Sequence, residues 1–440
     1  MADATLVIRG GSVVGPEGVR RLDVAINGSA IVELADSIDP PSGATVLNAS
    51  GCLVGPGLVD LHTHLRQPGR EEAETVESGA RAAALGGYTA VVAMPNTDPA
   101  IDSAGVARDV LALGRDALAD VAVAGAITVG RAGTALAPMG ELAALGVQLF
   151  TDDGAGVQDG ALMRRALDYA KGLGVTLAQH CEDECLAAGG AMHEGCWSSR
   201  LGLPGIPAAA EELMVARDIQ LVRLTGAPVH FLHLSTAGSV ELVRRAKAEG
   251  LPVTAEAAPH HMLLTHAEVA GYDPVFKVNP PLRTDDDVAA VVAGLCDGTI
   301  DAIATDHAPH APECKDVPFD QAPPGMLGLQ TALPIAWEVL SPALSPERIF
   351  ALMSVQPATI ARLRVTDNRV AGHSAQGGPL EVGATANVCV FDPTSSTVVD
   401  PARLASRSRN TPYAGRTFTG AVRHTVRRGE PVVIDAVAQR

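Results

Sequence analysis

The 440-residue sequence predicts an α/β fold: a (β/α)8 barrel of the TIM type, with a smaller β-sandwich domain built from both chain ends. Three observations predict it. The middle of the chain alternates short apolar runs with helical stretches, eight times over. The two ends alternate differently, as strands broken by turns. Histidines and aspartates fall where the apolar runs stop. The expected boundaries are 1–55 and 371–440 for the two parts of the sandwich, and 56–370 for the barrel.

Bulk composition sets the frame. The chain is too long for one ordinary core, and 47% hydrophobic with 19% charged residues is a globular balance. A net charge of −17 argues against nucleic acid as partner, because phosphates need basic surface. It leaves room for an anionic small substrate, since a few local arginines override a distant field. No run of about 18 apolar residues stands without a charge or break, so no membrane span is expected. Met1 to Arg9 lacks the pattern of a secretory signal, and a cytoplasmic location is expected. The seven cysteines are odd in number and scattered, which reads as reduced thiols. Cys181 and Cys185 have no second pair to complete a zinc ribbon.

At the N-terminal end, Leu6 to Gly11 is a short strand closing on glycines. Asp23 to Gly28 alternates and ends in Asn-Gly, a hairpin signal. Ala386 to Phe391 and Val422 to Val426 repeat this texture at the other end. Between them lie eight apolar strand candidates: 58–62, 88–93, 121–126, 146–150, 175–179, 228–232, 252–256 and 301–305. Helical stretches such as Ala161 to Gly172 and Val240 to Glu249 separate them. An open doubly wound sheet would carry a glycine-rich phosphate fingerprint after its first strand, and none is present.

The first of these strands ends in Asp60-Leu61-His62-Thr63-His64. Residues two apart on a strand face one way, so His62 and His64 can aim at one point. Asp152 and Asp153 follow the fourth strand, His180 the fifth, His233 the sixth, and Asp306-His307 the eighth. All sit at C-terminal strand ends, where barrel active sites form. A single histidine is best read as structural; four histidines (His62, His64, His180 and His233) and two aspartates (Asp306 and one of the pair Asp152 and Asp153) on one rim are best read as a metal site. Imidazole and carboxylate suit zinc or a similar divalent ion, and six such groups suit two ions. Asp306 is placed to act as general base and acid. Polar groups for substrate lie on the same rim: Arg66, Asn96, Asn279 and His310. The segment Ala311 to Met326 is rich in proline and charge and reads as a mobile lid or partner-facing loop. His260 and His261 read as loop or supporting residues, and His193 as structural.

These motifs resemble the cyclic amidohydrolases of the amidohydrolase superfamily, and most closely the long bacterial (type I) dihydroorotases. The resemblance runs through Gly55 to Arg66, Met94-Pro95-Asn96-Thr97, Phe150 to Gly154, Asn279-Pro280-Pro281-Leu282-Arg283 and Ala304 to His310. It implies two Zn2+ ions bridged by an aspartate and a hydroxide. His62, His64 and Asp306 would hold one ion, His180 and His233 the other, with Asp153 shared and Asp152 the alternative. It implies Asp306 as catalytic acid/base, Arg66 and Asn96 on the substrate carboxylate, and His64, Asn279, His310, Pro324 and Gly325 completing the pocket. Hydantoinases, dihydropyrimidinases and allantoinases generally use a carboxylated lysine near the fourth strand. The four lysines here, Lys171, Lys247, Lys277 and Lys315, are not at that position. The implied reaction is the reversible zinc-dependent cyclisation of N-carbamoyl-L-aspartate to (S)-dihydroorotate in pyrimidine biosynthesis. Another cyclic amide hydrolase, or a silent homologue kept as a scaffold for aspartate carbamoyltransferase, is the alternative. A homo-oligomer is expected, and some relatives associate with that transcarbamoylase.

Overall fold

The computed structural model describes residues 4–364 and 375–440. The boundary expected between 370 and 371 lies outside the described residues. All eight expected strands form: Leu58–Thr63, Tyr88–Ala93, Asp120–Val123, Leu149–Phe150, Thr176–Gln179, Val229–Phe231, Val253–Ala257 and Ala302–Ile303. Pairing is parallel throughout, the arrangement that helical crossovers demand. The first three strands form one sheet and the last five another. Single parallel bridges join the sheets at both edges, Gly125 to Phe150 and Thr63 to His307.

The crossover helices start and stop on local chemistry. The helix Gly160–Leu173 begins at Asp159, whose carboxylate accepts from the Leu162 amide, and ends at Gly174 in the left-handed conformation. The helix Ala237–Ala248 is capped by Thr236 in the same way. Their apolar faces join the largest core, which packs Val76, Ala80 and Ala83 with Val91, and Leu162 and Ala166 with Leu177. A second cluster gathers Leu61, Val92, Ala122, Leu149, Ala178, Leu232 and Ala302, from strands of both sheets.

The chain ends pair with each other. A four-stranded sheet comes from the first 48 residues, and Asp23–Asn27 and Ala30–Ala35 form the hairpin that Asn-Gly signals, with Gly28 at φ 54°. A seven-stranded sheet combines N-terminal strands with Val388–Val398 and Thr417–Arg427. Its link is the strand Leu53–Pro56, antiparallel to Val388–Val398. Ile8, Val24 and Leu47 of the first sheet share a core with Val54, Val388 and Val426 of the second. No helix among the described residues is long and apolar enough to cross a membrane.

Candidate metal centre

The six expected ligands converge. His62 Nε2 stands 3.3 Å from Asp153 Oδ1 and 3.5 Å from Asp306 Oδ1. His64 Nε2 lies 3.5 Å from Asp153 Oδ2 and 3.2 Å from Asp306 Oδ1. On the other side of Asp153, His180 Nδ1 and His233 Nε2 are each 3.6 Å from Oδ1 and 2.9 Å from one another. All six are at least 95% buried. Two groups share ligand-atom spacing fit for an ion, His62–His64–Asp153 and Asp153–His180–His233.

The backbone bends to achieve this. Arg66, His233 and Asp306 have φ of 60°, 29° and 47°, a region disfavoured for side-chain-bearing residues. Each costs of order 1–3 kcal/mol, a strain that persists only where the surroundings impose it. Here each residue follows a strand, and all three line one cavity.

The adjacent aspartates part company. Asp152 accepts from the Ile127 and Thr128 amides at 2.8 and 3.0 Å and from the Thr128 hydroxyl. It is a brace for the loop after the third strand. Asp153 faces the histidines. Asp60 bonds the Thr63 and Thr305 hydroxyls and the Thr305 amide, tying the first strand to the eighth. Burial pushes the Asp60 carboxyl up to about 6.

The donor set calls for cations. Burial opposes ionisation of Asp153, but His62, His180 and His233 hold its carboxyl well below the usual range. Burial also disfavours a charged His62, yet Asp153 and Asp306 raise its pKa well above the ordinary imidazole value. Protons are thus drawn into a buried anionic cluster where a divalent ion would displace them. His62 Nε2 is buried without a hydrogen-bond partner, facing that cluster. The residues present fit metal ions.

Supporting partners fix the imidazoles. His62 Nδ1 bonds Glu256 Oε1 at 3.0 Å, and Glu256 also receives His230 Nε2 at 3.0 Å. Those bonds outweigh burial and lower the Glu256 carboxyl to about 2. An imidazole that donates through Nδ1 presents a lone pair at Nε2. His64 Nδ1 likewise bonds Asn96 Oδ1 at 2.8 Å.

Beside the cluster lies a cavity of about 220 Å³, lined by His64, Arg66, Asn96, Asn279, His310, Pro324 and Gly325, with Asp153, His180, His233 and Asp306 at its base. Arg66 Nε donates to the Pro309 carbonyl at 3.1 Å, leaving its Nη groups for the cavity. Burial and nearby Arg70 lower Arg66 to about 10, so it stays a cation at neutral pH. Asn279 Nδ2 donates to Glu182 at 2.9 Å, while its Oδ1 is buried without a partner. His310 Nε2 donates to the Pro324 carbonyl at 2.8 Å. Burial, then Arg66 and Lys315, lower His310 to about 3 and keep it neutral. A Cβ on Gly325 would meet Ala308 and His310 at 2.8 Å, and its φ is 144°, so only glycine fits.

Sequence reasoning missed Glu256, Glu182, Arg70 and Arg131. Arg70 lines the cavity, and Arg131 donates from Nη2 to the Asp153 carbonyl at 2.7 Å. Glu256 had a usable signal, a carboxylate closing the seventh apolar run; the other three had none. His193 accepts from buried Arg283 at 3.2 Å, a structural contact. His261 bonds the Pro280 carbonyl. None of the four lysines joins the cluster. Lys171 bonds the Thr225 carbonyl, Lys247 bonds Asp301, Lys277 bonds the Asp320 carbonyl, and Lys315 bonds three carbonyls.

The chain is similar throughout to curated proteins of one kind. It is 50% identical to dihydroorotase from Pelotomaculum thermopropionicum over 436 residues, covering 98% of this chain and 99% of that one. It is 48% identical to dihydroorotase from Streptomyces coelicolor, covering 98% of each, and 48% identical to that from Mycobacterium tuberculosis, covering 98% and 99%. A family model described as dihydro-orotase-like matches residues 51–239. Among solved structures, L-hydantoinase (dihydropyrimidinase) from Arthrobacter aurescens superposes with a TM-score of 0.86 at 23% identity, covering 99% of this chain and 98% of that one. Dihydropyrimidinase from Brevibacillus agri gives 0.81 at 22% identity, covering 98% and 96%. These two likenesses establish the fold, an α/β architecture shared with hydantoinases. Identity near one half over nearly the full length of chain and relatives places the chain in the dihydroorotase family.

Proposed function

We propose that the chain catalyses the reversible interconversion of N-carbamoyl-L-aspartate and (S)-dihydroorotate in pyrimidine biosynthesis, at two Zn2+ ions per subunit. The observation that carries this reading is the cavity itself. A buried cluster of four imidazoles and two carboxylates adjoins it, and Arg66 and Asn96 line it, with Asn96 bonded to His64 of the cluster. In this reading His62, His64 and Asp306 hold one ion, His180 and His233 the other, and Asp153 is shared. Bound there, the ions would supply an acidified water and polarise the ring amide carbonyl.

The chain's own groups then do the following. Arg66 offers its fork to the substrate carboxylate. Asn96 accepts from His64 through Oδ1, which leaves Nδ2 to donate to the same carboxylate. Asn279 Oδ1 is free to accept a ring N–H. Asp306 takes the proton of the attacking water and returns it to the leaving amide nitrogen; in the cyclising direction the transfers reverse. Strand bridges at both sheet edges support a closed (β/α)8 barrel at 56–370, and the shared core of the terminal sheets supports a β-sandwich from 1–55 and 371–440. The same reading places the enzyme in the cytoplasm as a homo-oligomer able to dock aspartate carbamoyltransferase.

The test is a side-by-side assay of (S)-dihydroorotate, hydantoin and dihydrouracil with purified holoenzyme. Turnover of (S)-dihydroorotate at least ~100-fold above the uncharged rings is expected, because loss of the carboxylate leaves Arg66 unpaired in a buried site. Preference for hydantoin would contradict the reading.

A further inference from the structure

The segment 311–326, which forms part of the cavity wall through Pro323, Pro324 and Gly325, is bonded to its neighbours in an unusual way. Lys315, half-buried in the short helix Pro312–Lys315, directs Nζ at three backbone carbonyls: Pro323 at 2.7 Å, Pro274 at 3.0 Å and Lys277 at 3.3 Å. Burial, then nearby Lys277, lower Lys315 to about 7; protonated, its nitrogen has three donors, and here each has an acceptor. Among the described residues no carboxylate lies within ion-pair distance of it. The carbonyls come from both sides of the cavity wall. Pro323 precedes Pro324 in the segment, and Lys277 stands two residues before Asn279. The grip is reciprocal: Lys277 Nζ donates to the Asp320 carbonyl at 2.8 Å, and the Gly325 amide donates to the Lys277 carbonyl at 2.8 Å. Two of the chain's four lysines are therefore committed to backbone oxygens at this one seam. A guanidinium would serve poorly, because its donors lie in one plane.

We propose that Lys315 is a positioning residue: its ammonium pins 311–326 to the turn at 274–277, so that Pro324, Gly325 and Asn279 form one fixed wall in place of the mobile lid that composition suggests. The role it would serve rests on the substrate reading above; the clamp does not. Without the ammonium, the carbonyls of Pro274, Lys277 and Pro323 lose their shared donor, and the two sides of the wall are left to the Gly325–Lys277 and Lys277–Asp320 bonds, a looser hold.

Hydrogen–deuterium exchange on the holoenzyme, wild type against Lys315→Met, reads the clamp without substrate. Peptides covering 311–326 should exchange at least ~10-fold faster in the variant, with the rest unchanged. In the same preparations KM for (S)-dihydroorotate should rise about 10-fold, with kcat within about 3-fold and metal content unchanged. Lys315→Arg should behave like Lys315→Met. Lys277→Met, which removes the bond to the Asp320 carbonyl and the ammonium over the Phe319 ring, should shift exchange the same way by less, and it carries the test should Lys315→Met not fold. Unchanged exchange in 311–326, an unprotected wild-type segment, or loosened exchange with KM unchanged would each overturn the proposal. A wild type with a protected segment and no turnover of (S)-dihydroorotate would sink the substrate reading alone.

Discussion

Asp152 and Asp153 are chemically identical neighbours whose surroundings separate them. One satisfies two buried amides and a hydroxyl; the other faces four imidazole nitrogens. Asp152→Ala should retain metal and lose about 2–4 kcal/mol of stability, since the Ile127 and Thr128 amides would be orphaned. Asp153→Ala should lose metal and activity together. Metal analysis with thermal melts distinguishes them, and the reverse pattern would reassign the pair. For Asp306→Asn, kcat should fall by about 10³-fold or more with fold and metal retained, as expected when a general acid/base is neutralised. Near-normal turnover would remove Asp306 from that role. At this scale the convergence of these residues was readable because each closes an apolar run. The choice between Asp152 and Asp153 was not, because spacing cannot tell which of two adjacent carboxylates finds amides nearby.

Strand ends and the turns behind them carry the chemistry, and these elements were legible in position more than in length. The runs at 146–150 and 301–305 reduce to two-residue strands, Leu149–Phe150 and Ala302–Ile303. Each touches the sheet edge where only single bridges continue the pairing, so the ladder shortens while the apolar burial persists. Turn residues such as Arg131 and Glu182 left no trace in periodicity, since loops have none. Arg66 sits on a tight bend at φ 60° with Nε engaged by Pro309. Arg66→Lys keeps the charge and loses the fork, so KM for (S)-dihydroorotate should rise about 10–100-fold with a smaller change in kcat. Equal kcat and KM in wild type and variant would show that the guanidinium does not meet the carboxylate.

The whole molecule combines a net charge of −17 with a cavity that presents Arg66 and Arg70, so an acidic chain still offers cations locally to an anionic substrate. Its acid stability should carry a histidine signature away from the metal cluster. Burial, then Arg283 and His266, lower His193 to about 4. Below about 6.5 the unfolded chain binds a proton there that the folded chain refuses, so stability falls as pH drops from about 6.5 towards 4. His193→Gln should flatten that slope in melting temperature against pH; an unchanged slope would place the sensitivity elsewhere. In the proposed function, two ions held by these six residues carry dihydroorotate turnover. Its most direct test is to strip the protein with a chelator and return zinc in measured increments, following turnover of (S)-dihydroorotate and bound metal together. The stripped protein should be inactive, and activity should rise until two ions are bound per chain. Full activity without metal, or two bound ions with no turnover, would contradict it.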